Sequence, residues 1–327
     1  MGDGLGSRRE GDMNRLGKSA LLFTAIALLI YALVYYAAEQ LLYRTGHSNP
    51  FFKIATMHER EVEWVILGAS HAMPLDFADF NAQMERETGL RILNLAAPGT
   101  GPLYNRFVLE HFLREHRTKN VLYVVDSFAF YSRTWNEDRF TDSKLQQRTP
   151  FELGIARHLW DYVRGEGVDA VAIVDYVSGF SKINNRERFQ QDMWEGEVQF
   201  DRVYRPSATA VSKRIAYLYP QQTGAAARSR YLEEFSALIT LAQRKGARVV
   251  VVKMPVPPQF CRLLPDEPAF DDTVSQLLAR HDARFHDLST AMSEPRFYFD
   301  TDHLNRAGLT ELFDRHLRRL LVAGPHA

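Results

Sequence analysis

The chain has 327 residues, room for one large domain or two modest ones. Apolar residues make up 46% and charged residues 24%, which excludes a disordered chain, and 40 Lys plus Arg against 40 Asp plus Glu leaves no basic excess for a nucleic-acid partner. A single cysteine, Cys261, excludes an internal disulfide framework and any multi-cysteine metal site, though it does not locate the protein.

Residues 1–18 hold Gly2, Gly4 and Gly6 among charges and read as a flexible tail. Their GDGLG string follows no strand, so it is not a nucleotide fingerprint. Residues 19–38 (SALLFTAIALLIYALVYYAA) carry no charge over 20 positions, enough helix to cross a bilayer core. Tyr31, Tyr35 and Tyr36 lie toward one end, as interface aromatics do. Arg8, Arg9, Arg15 and Lys18 precede the run, and only Arg44 and Lys53 follow it closely. The excess of positive charge on the N-terminal side predicts an uncleaved, single-pass anchor in the cytoplasmic membrane, with 1–18 in the cytoplasm and residue 39 onward outside. The run is longer than the apolar region of a signal peptide, and Tyr36 spoils the obvious cleavage site. A buried core helix is rarely so uniformly uncharged. Residues 39–60 read as a connector, broken by His47, Ser48, Asn49 and Pro50.

From residue 61 the pattern alternates. Strands are predicted at 62–67 (VEWVIL), 90–95 (LRILNL), 120–125 (NVLYVV), 247–254 (ARVVVVKM) and 283–288. Helices are predicted at 77–87, closed by Gly89, and at 103–116, 228–245 and 270–281. Leu309, Leu312, Phe313, His316, Leu317 and Leu320 form one face of a closing helix. Four consecutive valines suit a strand buried on both faces, and strands separated by helices imply a parallel sheet covered on both sides. Residues 130–225 break the rhythm. They read as a long insertion with helices of its own, one near 151–164, and insertions of this kind often cover an active site.

Ligands of an open parallel sheet bind beyond the carboxyl ends of the strands. The first strand ends in Gly68-Ala69-Ser70-His71, the second in Asn94 followed by Pro98-Gly99-Thr100-Gly101, and the third in Asp126-Ser127. Asp300-Thr301-Asp302-His303 lies just before the closing helix. Ser70 sits where a tight turn can expose its hydroxyl, although turns and caps use serine constantly. Asp300 stands three residues before His303, a spacing that lets a carboxylate reach Nδ1 and fix the imidazole for proton transfer. The same spacing also suits a helix-cap network with Asp302 or Asn305 as the cap. His71, Asn94 and Asp126 are further candidates to line the cleft. Trp135, Trp160 and Trp194 lie in the insertion, where aromatic residues can stack on sugars or form a satellite core. His58-Glu59-Arg60-Glu61 lacks the second histidine of a zinc-protease motif, and there is no P-loop. No metal and no cofactor is expected.

Strand–GxS, N-x-x-x-x-G and a late D-x-x-H together resemble the SGNH hydrolase superfamily. The resemblance covers roughly residues 60–128 and 228–322. It implies a flavodoxin-like three-layer α/β/α sandwich, with Ser70 as nucleophile, His303 as base, Asp300 as its orienter, and the backbone N–H groups of Ser70 and Gly99 as oxyanion donors. Ala69 stands where the superfamily has Asp, and the third strand runs into Asp126 without the usual asparagine donor. An ionised Asp126 would repel an oxyanion, so it must be protonated, turned away, or used to orient His71 or Ser70. The anchor, the G-x-S-H block and the V-V-V-V-x-M-P strand before D-x-D-H-L-N are similar to the membrane-anchored envelope acylation branch, which includes alginate O-acetylation proteins and teichoic-acid D-alanyl transfer proteins. That branch implies an acylated donor, an envelope glycan acceptor and a multi-pass membrane acyltransferase as partners, and transfer or hydrolysis from an acyl-serine. The alternative is a non-catalytic scaffold of the same fold that binds a glycan or a membrane partner.

Overall fold

A parallel five-stranded sheet organises the computed structural model, which describes residues 4–220 and 225–323. The strands are β1 (Glu61–Gly68), β2 (Ile92–Asn94), β3 (Arg117–Val124), β4 (Arg248–Lys253) and β5 (Arg284–Asp287). Their spatial order is β2-β1-β3-β4-β5, and every pairing is parallel. Alternation along the strands explains why both faces need cover. Val65, Leu67, Val121, Tyr123, Val249 and Val251 enter one core, and Trp64, Ile66, Leu122, Val124, Val250 and Val252 enter the other. The second core is closed by Phe80 and Met84 of the helix Phe80–Thr88 and by Leu309, Leu312, Phe313 and Leu317 near the C-terminus. The first is closed by the helices Pro102–Glu115 and Ala225–Arg244.

The N-terminal segment differs from the expected tail and connector. A single helix, α1 (Gly4–Thr45), takes in most of residues 1–18 and runs seven residues past the apolar run. Residues 1–3 lie outside the described chain. No proline or glycine stops the helix between Ala38 and Thr45, which is why it continues. Its stretch Arg15–Thr45 is long and apolar enough to cross a membrane. Next, Asn49 accepts the N–H groups of Phe51 and Phe52 and starts a helix, α2 (Pro50–Thr56), with proline at its first position. Phe51 and Ile54 of α2 are buried in the first core, so the packed fold begins before residue 61. The insertion is largely helical. It includes Leu153–Gly165, close to the expected span, and Val171–Ser178 and Ala208–Leu218, and its last residues, 221–224, lie outside the described chain.

β1 ends in a backbone that demands glycine. Gly68 has φ +145°, and a Cβ there would lie 2.8 Å from the Val124 carbonyl oxygen of the neighbouring strand. Gly68→Ala should therefore lower stability by about 2 kcal/mol or more, from strain and overpacking together. Thermal unfolding of the detergent-solubilised full chain measures this. An unchanged midpoint would show that the turn relaxes freely.

Candidate active site

The turn after Gly68 carries Ser70, and the loop Asp300-Thr301-Asp302-His303 meets it from the other end of the chain. Ser70 Oγ is 2.9 Å from His303 Nε2. On the far side of the ring, Nδ1 donates to the Asp300 carboxylate, at 2.9 and 3.0 Å from its two oxygens. With that N–H on Nδ1, Nε2 is left as the acceptor for the serine hydroxyl. The loop geometry has local causes. Asp300 Oδ1 accepts the backbone N–H groups of Asp302 (3.0 Å) and His303 (2.8 Å), and the Phe299 N–H donates to the His303 carbonyl (3.1 Å). Asn305 then caps the closing helix through the Gly308 N–H, and its amide donates to the carbonyls of Arg202 and Arg296. The D-x-x-H segment thus holds the His303 ring between Asp300 and Ser70 and leads into a capped helix start, with Asn305 rather than Asp302 as the cap.

Gly99 lies in the loop after β2, with φ +64° and the Trp135 ring 2.8 Å from where a Cβ would sit. That loop is held to the Gly68 carbonyl by Thr100 Oγ1 (3.0 Å) and the Ala97 N–H (3.4 Å). Among the described residues, the Ser70 and Gly99 N–H groups donate to no backbone acceptor. Asn94 has a different use. Its amide donates to the Ala72 carbonyl (2.8 Å) and accepts from the Ala96 N–H (2.9 Å), bracing the turn that carries Ser70.

A second set of charges stands behind the first. His71 Nδ1 is 2.5 Å from Asp126 Oδ1, and His71 Nε2 is 3.3 Å from Asp302 Oδ2 without hydrogen-bond alignment. Asp302 is fully buried; Arg214 Nε donates to both its oxygens, at 2.9 and 3.1 Å, and the Thr301 hydroxyl donates to Oδ1 at 2.5 Å. Burial works against a charged His71, but Asp126 and then Asp302 outweigh it and push its pKa up to about 10. Burial likewise works against an ionised Asp302, but His303, Arg214 and His71 hold its carboxyl well below the usual range. Asp126 is therefore used to pair His71, one of the three options open from sequence. His71, Asp302 and His303 form a group of metal-ligating types. Their atoms already face Asp126, Arg214, Ser70 and Asp300, and Arg214 supplies the countercharge a cation would bring.

Arg214 and the ionic role of Asp302 escaped sequence reasoning. Asp302 stood in plain view beside His303, but Arg214 lies 88 residues away on the helix Ala208–Leu218 and carries no local signature. The insertion reaches His303 a second time through Trp194, whose ring meets it edge-on at 5.2 Å, while Phe299 stacks on it at 5.5 Å. Two hollows among the described residues, one lined by Phe51 and Tyr104 and one by Asp201 and Arg306, do not include Ser70. Ser70 is 4% exposed, whereas the Asp300 side chain is 35% exposed and marks the rim.

No protein-family model and no curated protein matches this chain.

The charges fix a pH signature. His71 binds its proton more tightly folded than unfolded, so its contribution is complete below its ordinary value of 6.5 and is lost as pH rises toward about 10. Asp302 has a depressed pKa, so its contribution is present above its ordinary 3.8 and is lost as pH falls further. The stability advantage of the wild type over His71→Gln should be largest near pH 4–6.5 and shrink toward pH 10, as melting curves across that range would register. A constant difference would mean that His71 is not charged in the fold.

Proposed function

We propose that the chain is a membrane-anchored, serine-dependent O-acyltransferase or esterase of the SGNH hydrolase type, acting on cell-envelope polysaccharide through an acyl-serine intermediate. The observation that carries this reading is the contact of Ser70 Oγ with His303 Nε2 at 2.9 Å while Asp300 holds Nδ1. The strand order β2-β1-β3-β4-β5 supports a flavodoxin-like sandwich, in which this end of the sheet is the ligand end. The apolar helix α1 and the charge excess before it support a single-pass anchor with the domain outside the cytoplasm.

In this mechanism His303 Nε2 takes the hydroxyl proton as Ser70 Oγ attacks an acyl carbonyl. The Ser70 and Gly99 N–H groups receive the negative charge on the former carbonyl oxygen. Collapse breaks the bond to the donor, and His303 returns the proton to the departing oxygen. An acceptor hydroxyl then attacks the acyl-serine, giving its proton to His303; the acyl–Oγ bond breaks, and His303 returns that proton to Ser70 Oγ. A glycan hydroxyl as acceptor makes the protein a transferase, and water makes it an esterase. The pairing of Asp126 with His71 keeps that carboxylate from adding an unpaired charge beside the oxyanion.

A fluorophosphonate probe should label the wild-type chain at Ser70 and leave Ser70→Ala unlabelled with an unchanged melting temperature. Asp300→Asn should keep the nucleophile but lower the rate of acyl transfer from an aryl acetate by about three to four orders of magnitude, because the wrong tautomer is then favoured. A well-folded wild type that neither labels nor turns over would leave the non-catalytic scaffold as the better reading. The near-complete burial of Ser70 is the observation that favours that outcome.

A further inference from the structure

The helix Val171–Ser178 presents an apolar face to the outside. Val171, Val174 and Val177 are 60%, 65% and 48% exposed, and Phe180 follows at 64%. The rotation of the helix is fixed from behind, where Ala172 and Tyr176 are buried and the Tyr176 hydroxyl donates to the Pro150 carbonyl at 2.7 Å. The polar groups beside it have partners: Asp175 accepts from Ser181 N (2.7 Å) and Ser181 Oγ (2.6 Å), Asp169 accepts the Val171 N–H, and Lys182 is buried against Glu39. An outward row of large apolar residues is costly in water and suits an apolar medium.

What lies beside this face identifies the medium. The Tyr31 hydroxyl of α1 donates to the Ser178 carbonyl at 2.8 Å. The Tyr35 ring fills the space beside Gly179, where a Cβ would sit 2.5 Å from it. Glu39 pairs with Lys182 and accepts the Phe151 N–H at 2.8 Å. Glu39 is also the first charged residue after the apolar run. Tyr31 precedes it by eight positions, about 12 Å along a helix. The contact with Ser178 is therefore made well inside the apolar run and not at its charged end. Interfacial helices bury their apolar faces by about 5–10 Å, a comparable depth.

We propose that the helix Val171–Ser178, with Phe180, is embedded in the outer leaflet beside α1, and that lipid acyl chains cover its valine face. The domain then holds the membrane by two elements, one spanning and one lying in the interface. This rests on α1 crossing the membrane and is independent of the chemistry at Ser70.

The test uses the full chain with Cys261→Ser, reconstituted in phosphatidylcholine–phosphatidylglycerol vesicles. Val174→Cys, and Val177→Cys as a second position, carry a bimane fluorophore. Leu28→Cys reports on the anchor, and Val203→Cys on an exposed part of the insertion. Bimane at 174 and 177 should lose most of its emission to lipids bearing a nitroxide high on the acyl chain, and bimane at 28 to lipids bearing one near the chain end; all three should resist aqueous iodide, while 203 responds only to iodide. Iodide quenching at 174 and 177, with lipid quenching retained at 28, would overturn the proposal and leave the anchor intact. Protection from both quenchers would overturn it in favour of a protein partner or a second copy. Absence of lipid quenching at 28 would remove the anchor reading and this one with it.

Discussion

Gly68 is the point from which the site is built. Its N–H donates to Asn105 Oδ1 of the helix Pro102–Glu115, and its carbonyl accepts Thr100 Oγ1 and the Ala97 N–H of the loop that carries Gly99. Its missing side chain lets β1 lie against the Val124 carbonyl while the backbone turns at φ +145°. One residue thus ties the Ser70 turn, the Gly99 loop and the helix behind them, with its own N–H and carbonyl both satisfied in a buried place. A larger residue would have to push apart β1 and β3, the pair on which the rest of the sheet is stacked. The position of Ser70 is a consequence of how β1 ends, before any histidine is considered.

The second constraint is charge. Asp126, Asp300 and Asp302 share the site with two histidines and Arg214. Burying carboxylates without partners costs several kcal/mol each, so they must be matched. His71 pairs Asp126, and Arg214 reaches both oxygens of Asp302. Asp302 in turn lies 3.6 Å from His303 Nδ1, so the Arg214–Asp302 pair stands directly behind the imidazole.

The alternating strands and helices were legible because they obey local periods. Four valines in β4, buried in pairs on opposite faces, and Gly89 at a left-handed helix end are signals a single sequence displays. The residues at the strand ends were legible by the same route, since the sheet type says where to look. Asn94 shows the limit of that rule, because a strand end also needs braces, and its amide serves as one. The end of α1 lies beyond the expected start of the connector because loss of apolarity at Glu39 is not loss of helix, and nothing breaks the helix before Gly46. Asn49-Pro50 is a helix start as much as a breaker, and only the burial of Phe51 decides between the two. Arg214 was illegible because an ion pair across 88 residues leaves no period and no spacing.

The insertion joins these constraints. One end of it is fixed to α1: the Asp192 N–H donates to the Thr45 carbonyl at 2.7 Å, and Ser48 donates to Asp192 through both its N–H and its hydroxyl. Two residues further on, Trp194 lies edge-on to His303. Thr45 is six residues beyond Glu39, about 9 Å along the helix. Under the topology proposed above, a segment fixed to Thr45 at Asp192 and meeting His303 at Trp194 would keep the site close to the membrane surface, and such a short tether would favour substrates presented there, whereas a long flexible connector would let the domain sample the surrounding space. The same insertion supplies Arg214 to Asp302, so the segment fixed to α1 also supplies the ion pair behind His303. Loosening the segment from α1 would therefore disturb both the position of the site and its electrostatics, which makes the insertion a working part of the fold and not an appendage to it.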